Sequence, residues 1–267
     1  MLYLVSTPIG NLGDFSPRAK EILEMADYVA CEDTRTSHLL FSLIGLKVKK
    51  TLPYHDHNAD KARPKLLALL QQGKTIALVS DAGTPLISDP GYKLVRDCLA
   101  VGIKVSTAPG ANAVLSALQL SGLSSARFYF GGFLPPKTNA RKAHLSEVKD
   151  LKATLIFYET PTRLQDSLSD ILSIYGNRKM AVVREITKKF EETRQDFVEN
   201  LITYYKDNGD PKGELVLVID GAPEQNSIDQ DWNKLIAQVR PKYSPKQAAT
   251  LLAEKTGISK KQAYQIK

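Results

Sequence analysis

Apolar residues fall along this chain in two alternating rhythms. Residues 2–5 are an apolar run without polar alternation, as in a strand buried on both faces. Ser16-Pro17 then offers an N-cap with proline at the first helical position, and Ala19, Ile22, Leu23 and Ala26 follow at helical spacing. The exchange repeats. Strands are expected over 28–31, 75–79 and 103–106. Helices are marked by Leu39, Leu40 and Leu43 before Gly45, by Leu66, Leu67, Leu69 and Leu70 before Gly73, and by the stretches 92–100 and 111–120. Such alternation predicts an α/β domain with a mostly parallel sheet.

Residues 121–125 (Ser-Gly-Leu-Ser-Ser) read as a linker. A second α/β series follows, with strands over 128–130, within 151–158, and over 180–183 and 215–219. A loop is expected over 131–136, and a helix opens at Thr160-Pro161 and runs through Leu164, Leu168, Ile171 and Leu172 toward Gly176. After a polar break at 224–230, Ser244-Pro245 caps a helix carrying Ala248, Leu251 and Leu252; Gly257 stops it, and Ser259 with Gln262 opens another. The expected organisation is an N-terminal α/β domain over 1–121, a C-terminal α/β domain over 122–224 and a small helical module over 225–267.

Composition narrows the class. Of 267 residues, 43% are apolar and 24% charged, which excludes collagen, coiled-coil and disordered chains. No apolar run reaches the roughly 18 residues of a membrane helix. The apolar start lacks a basic segment and a small-residue cleavage site, so it reads as a strand rather than a signal peptide. Cys31 and Cys98 form neither a metal motif nor a disulfide framework, which suits a cytoplasmic location. Lys and Arg number 36 against 29 Asp and Glu, a net charge of +7, and this favours an anionic partner, nucleic acid first. The basic residues come in small groups, as on a folded binding surface.

The most unusual stretch is 80–91, Ser-Asp-Ala-Gly-Thr-Pro-Leu-Ile-Ser-Asp-Pro-Gly, directly after a strand. Ligands of open α/β sheets bind outside the carboxyl ends of strands. Gly83 and Gly91 permit close backbone approach, while Asp81, Thr84, Ser88 and Asp89 supply polar groups. Loops 6–14 and 108–113 should open on the same edge. G-x-G-x-x-G and G-x-x-x-x-G-K-[ST] are both absent, which argues against dinucleotide oxidoreductases and P-loop hydrolases. Two clusters, 31–35 and 184–192, set carboxylates beside cations. Such clusters serve proton transfer next to phosphate, or form solvated ion pairs. His55-Asp56-His57 lacks further ligands nearby, so no metal site is expected.

These motifs resemble the tetrapyrrole methylase superfamily, S-adenosylmethionine-dependent enzymes of two α/β domains with a cleft between them, and within it the branch that methylates ribosomal RNA. The resemblance rests on 4–14 (Leu-Val-Ser-Thr-Pro-Ile-Gly-Asn-Leu-Gly-Asp), 31–35, 80–91, 109–113, 158–163, 184–192 and 212–216. It implies S-adenosyl-L-methionine in the cleft, with Gly83-Thr84-Pro85 where superfamily members have Gly-Asp-Pro, and Asp81 supplying the acidic contact. It further implies that Pro8, Ile9, Ile87, Ser88, Asn112 and Ala113 line the cofactor and that Tyr158 and Glu159 approach it from the second domain. Glu32, Asp33, Arg35 and Lys188 would face substrate. The implied reaction is methylation of the ribose 2′-hydroxyl of a cytidine in 16S rRNA of the small ribosomal subunit, by a homodimer. Asp33, Glu185 and Lys188 are the candidates for taking the hydroxyl proton, and Arg35, Arg184 and Lys189 for holding phosphates. Two other readings stay open at this point: methylation of a tetrapyrrole or other small substrate by the same fold, and a non-catalytic RNA-binding module.

Overall fold

The computed structural model describes residues 1–223 and 243–256. Met1–Ala222 form one compact unit and Pro223–Lys267 another.

The first unit opens with a five-stranded parallel sheet. Strands β1 (Leu2–Val5), β2 (Tyr28–Cys31), β3 (Thr51–Pro53), β4 (Ile76–Val79) and β5 (Val105–Ala108) lie in the order β3-β2-β4-β1-β5. Helices α1 (Pro17–Met25), α2 (Thr34–Leu43), α3 (Ala59–Gln71) and α4 (Tyr92–Ala100) connect them. The apolar runs have their cause here, because helices cover both faces. Along β4, Ile76 and Leu78 pack with Leu66 and Leu70 of α3 and Leu94 and Cys98 of α4. Ala77 and Val79 point the other way, toward Ala19, Ile22 and Leu23 of α1 and Phe41 of α2. The expected cap of α1 is present: Ser16 Oγ accepts a hydrogen bond from Ala19 N at 3.1 Å.

The second sheet is mixed. Strands β6 (Phe128–Phe133), β7 (Thr154–Glu159), β8 (Lys179–Arg184), β9 (Glu192–Phe197) and β10 (Leu215–Ile219) lie in the order β6-β7-β10-β8-β9. Only β6 and β7 run parallel; the other pairs are antiparallel. One face is covered by α6 (Thr138–Val148), α7 (Leu164–Tyr175) and α8 (Val198–Asn208). The other face receives α5 (Ala113–Leu120), whose Val114, Ala117 and Leu118 pack on Ile156, Ala181, Val183, Val216 and Val218. The helix that follows the first sheet is therefore buried against the second. This brings the carboxyl edge of the parallel sheet, where loops 6–15, 80–91 and 109–112 emerge, to the second sheet.

The structure corrects several sequence expectations. The stretch 131–136, expected as a loop, is strand as far as Phe133, with a bulge between Phe130 and Phe133 that the two glycines permit. The strand expected over 103–106 lies at Val105–Ala108, set by its register with β1 from Leu2↔Val105 to Val5↔Ala108. Strands β3 and β9 and helix α6 carry no clear apolar signal; α8 does, with Val198, Leu201 and Tyr205 on one buried face, and it adds to the expected elements. Strand β9 (Glu-Thr-Arg-Gln-Asp-Phe) is a mostly exposed edge, and α6 buries Arg141 where a helix would ordinarily present an apolar residue.

In the second unit, α9 (Pro245–Thr256) starts where expected, and the side chain of Gln247 accepts from Ser244 N at 3.1 Å in a capping-box contact. The polar break at 224–230, the stop at Gly257 and the box at Ser259 and Gln262 lie outside the described residues. Among the described residues no helix is long and apolar enough to cross a membrane.

Candidate active site

A cavity of about 460 Å³ lies between the loop edge of the parallel sheet and the second sheet. The first half contributes Ile9, Glu32, Ala113 and two stretches of the long loop, Asp81–Gly83 and Ile87–Asp89. The second half contributes Phe133, the run from Tyr158 to Pro161, Ile186 and the run from Gly213 to Val216. Of the residues expected around the cofactor, Ile9, Asp81, Gly83, Ile87, Ser88, Ala113, Tyr158 and Glu159 all line this one space.

Three others stand behind its wall. Pro8 is buried. Thr84 Oγ1 donates to Ala111 O at 3.0 Å and accepts from Asn112 Nδ2 at 3.1 Å. Asn112 Oδ1 caps α5 by accepting from Leu115 N at 3.0 Å. Thr84 and Asn112 thus bind the loops to each other. Gly83 pairs with Thr7 through N–H···O bonds of 2.9 and 3.1 Å, at φ +81°, and a Cβ there would come within 3.2 Å of Ile9 Cγ2. The glycine is required both by its backbone angle and by the close approach of Ile9. Backbone strain gathers in the two loops facing the cavity: Leu86 and Ser88 in one and Glu185 and Thr187 in the other all have φ between +49° and +75°.

The charged clusters divide. Glu32 reaches the cavity, and its Oε2 accepts from Asp81 N at 3.4 Å. Asp33 and Arg35 do not line it. Arg35 grips Asp33 with Nη2–Oδ2 at 2.6 Å and Nε–Oδ1 at 3.1 Å, and Asp33 also caps α2 through Arg35 N. The Arg35 guanidinium holds the Asp33 carboxyl down at about 2, which makes it a poor proton acceptor. In the second cluster, Glu185 Oε1 accepts from Glu214 N at 3.0 Å and from Lys188 Nζ at 2.9 Å. Lys188 also reaches Glu214 Oε2 at 3.1 Å. Glu214 lines the cavity, so Glu185 and Lys188 stand one residue behind it. Burial alone would lower Lys188, but its bonds to the two carboxylates outweigh that and raise it, while the backbone N–H of Glu214 and then Lys188 lower Glu185. Arg184 pairs with Glu192 at 3.5 Å, and Lys189 is exposed over the Phe190 ring.

Several wall residues were missing from the expected site. Asp89 stood within the singled-out loop without an assigned role. Burial pushes its carboxyl up to about 6, with Glu32, Asp81 and Asp56 adding repulsion and the Ser80 hydroxyl opposing. Glu214 lay in the 212–216 motif. Ile186 lay in the 184–192 motif without an assigned role, and Phe133 lay in a stretch expected as a loop, where no spacing aims a side chain. Besides lining the cavity, Glu159 holds the backbone there: its buried carboxylate accepts from Thr160 N at 2.7 Å, pairs with Arg163 at 2.6 Å and accepts from Ser167 Oγ, fixing the corner between β7 and α7.

Among the described residues the wall carries Glu32, Asp81, Asp89, Glu159 and Glu214, and no lysine or arginine. An acidic wall with a glycine-backed loop fits a cationic ligand of nucleoside size, as a sulfonium cofactor is. A helix-covered parallel sheet whose loops close on a mixed second sheet around such a cleft defines an α/β enzyme fold of two sheets. The chain belongs to the Tetrapyrrole (Corrin/Porphyrin) Methylases, whose family model matches residues 1–202, and members of this family use S-adenosylmethionine. It is 46% identical over 264 residues to the ribosomal RNA small subunit methyltransferase I of Mesorhizobium japonicum, covering 98% of this chain and 90% of that protein. It is 43% identical over 266 residues to the protein of the same name from Escherichia coli O157:H7, covering 98% and 93%. Among solved structures, uroporphyrin-III-C-methyltransferase from Thermus thermophilus superposes with a TM-score of 0.56 at 19% identity, over 81% of this chain and 93% of that one, a likeness of fold.

Proposed function

We propose that this chain transfers the methyl group of S-adenosylmethionine to the ribose 2′-hydroxyl of a cytidine in 16S ribosomal RNA, acting on the small ribosomal subunit in the cytoplasm. The observation that carries the reading is the layering of charge at the cleft, in a chain similar over nearly its whole length to ribosomal RNA methyltransferases. Carboxylates line the cavity, and the cations Lys188, Arg184, Lys189 and Arg35 stand behind or outside its wall. That order suits a nucleoside inside and phosphates outside. A duplex would keep the ribose out of reach, so a splayed single-stranded segment is the substrate expected.

The cofactor supplies a methyl group made electrophilic by its sulfonium sulfur. Orientation comes from the rigid wall: Gly83 bonded to Thr7, and Thr84 and Asn112 locking loops 80–91 and 109–112 together. Positioning of this kind contributes on the order of 7–11 kcal/mol to methyl transfer. The hydroxyl proton needs an acceptor. Asp33 is held near 2 by Arg35, and Lys188 is held protonated by Glu185 and Glu214. Asp89 lines the cavity and titrates near 6, so we assign the proton to its carboxylate. Leu39 and Leu43, one helical turn apart on α2 and 62% and 61% exposed, support a homodimer as the working form.

The test is methyl transfer from radiolabelled cofactor to 30S particles lacking the modification, followed by mapping. A 2′-O-methylated nucleotide resists alkaline cleavage at its own phosphate. A labelled product that still cleaves there would place the methyl on a base and end this reading.

A further inference from the structure

Phe133 is the large apolar side chain that the second sheet leaves open at the cleft: it lines the cavity and is 57% exposed. Its direction is a product of local irregularity. Phe130 pairs with Ile156 and Phe133 with Tyr158, so β6 spends three residues where β7 spends two. In a regular strand, residues 130 and 133 would face opposite sides of the sheet. The bulge puts both on one side, where they flank the Tyr158 ring at centroid distances of 4.9 and 5.1 Å. Both glycines are needed for this. A Cβ on Gly131 would overlap the Phe157 ring, and Gly132 sits at φ +70°. A Cβ on Gly132 would lie 3.7 Å from Ser88 Oγ, so the bulge faces loop 80–91.

Phe133 meets Tyr158 edge to face, at 62°, and the rest of its ring is open to the cavity. The same cavity holds the exposed side chain of Ile87 and the acceptors Asp89, Asp81 and Glu32. An open aromatic surface with carboxylate acceptors in the same space matches a flat heterocycle bearing an exocyclic amine. We propose that Phe133 is the platform on which the target nucleobase of the RNA substrate stacks when its ribose enters the cleft. The proposal rests on the ribosomal RNA reading above and adds to it the residue that holds the base.

Full-length Phe133→Ala and Phe133→Trp are compared with the wild type by three measurements. These are methyl-transfer kinetics on 30S particles, calorimetry with S-adenosylmethionine, and sedimentation. Loss of one stacked base should raise KM for the particles by about 5- to 150-fold. Cofactor affinity and sedimentation should not change, and Phe133→Trp should restore KM. Quenching of the new indole by an oligocytidylate octamer, measured against the wild type with its single Trp232, would support direct stacking. An unchanged KM in Phe133→Ala overturns the proposal. So does a matching loss of cofactor affinity, which would put the ring on the cofactor's adenine. A smaller sedimenting species would make it a subunit contact and overturn it as well. If the wild type transfers no methyl to 30S particles, the ribosomal RNA reading fails instead. The octamer titration then decides on the ring: quenching supports it as a base platform, and no quenching overturns it.

Discussion

Asp89→Asn should make the protein more stable and far less active, and the two effects should share one pH dependence. The fold raises the Asp89 carboxyl from 3.8 to about 6. That is a shift of about two units, or roughly 3 kcal/mol at full strength. The group is only partly buried, and solvent screening reduces the expected effect to about 1–2 kcal/mol. The sign follows from linkage. A raised carboxyl favours the fold while protonated, below the unfolded value of 3.8, and that contribution is lost as pH climbs through about 6. Above this point the anion costs stability, and asparagine removes the cost. Urea denaturation at pH 8 should therefore show a gain of about 1–2 kcal/mol, or roughly 2–8 °C in Tm for a unit of this size. At pH 4 the gain should be nearly absent. Wild-type kcat at saturating cofactor should fall as pH drops through about 6, and Asp89→Asn should lose roughly 10²–10⁴-fold at pH 8. Asp33→Ala removes a carboxylate outside the wall and should keep most of its kcat. A gain of equal size at pH 4 and pH 8 would show that the anion is not the source of the cost. A variant with full kcat would remove Asp89 as the proton acceptor.

Three further outcomes are expected. Gly83→Val must hold a β-branched residue at φ +81° and press on Ile9, so calorimetry should find S-adenosylmethionine binding abolished while circular dichroism remains that of a folded chain. Arg141 is 1% exposed, bonds Asp170 at 2.6 Å and donates to the carbonyls of Pro135 and Pro136, so Arg141→Ala should cost about 3 kcal/mol in urea denaturation, because the buried Asp170 keeps only its looser contact with Lys142 at 3.5 Å. Removing residues 225–267, which carry Lys242, Lys246, Lys255, Lys260 and Lys261, should leave cofactor affinity nearly intact and reduce the salt slope of RNA binding by about 0.7 per lost phosphate contact.

The fold was legible wherever periodicity and burial agree. Strands β1, β2, β4 and β10 are buried on both faces or nearly so, and their apolar runs say so directly. Helix α1 announces itself through Ser16, Pro17 and one apolar face. Elements stabilised by something other than an apolar face were silent. Helix α6 is anchored by the buried Arg141–Asp170 pair, and the end of β6 by a bulge whose glycines look like a loop. For the site, motif spacing brought the right loops to one edge, since all parallel strands end there. What spacing could not supply was which side chains cross into the cleft. Glu185 and Lys188 lie beside Glu214 in space but 29 and 26 residues away in sequence, and only the pairing of β8 with β10 reveals that Glu214 stands between them and the cavity. Phe133 depends on a single extra residue in one strand.

Net charge and cleft charge have opposite signs, and the difference bears on which part of a substrate can enter. A chain of +7 attracts polyanions at its surface. Within the wall, Glu159 is paired with Arg163 and Glu214 shares Lys188 with Glu185, while Glu32, Asp81 and Asp89 have no ion-pair partner among the described residues. A phosphate 4 Å from one such carboxylate would be repelled by about 4 kcal/mol at an effective dielectric of 20. A neutral ribose and base meet no such barrier, and a sulfonium is attracted. On the proposed reading, the surface cations gather the RNA and the carboxylates stop its phosphates at the entrance, so a single nucleoside is admitted. Specificity for RNA is then set in two places, with opposite responses to salt. Screening weakens the outer attraction strongly, because those charges are exposed to ions. It weakens the inner repulsion from Glu32 and Asp89 less, because those two carboxylates are partly shielded from solvent.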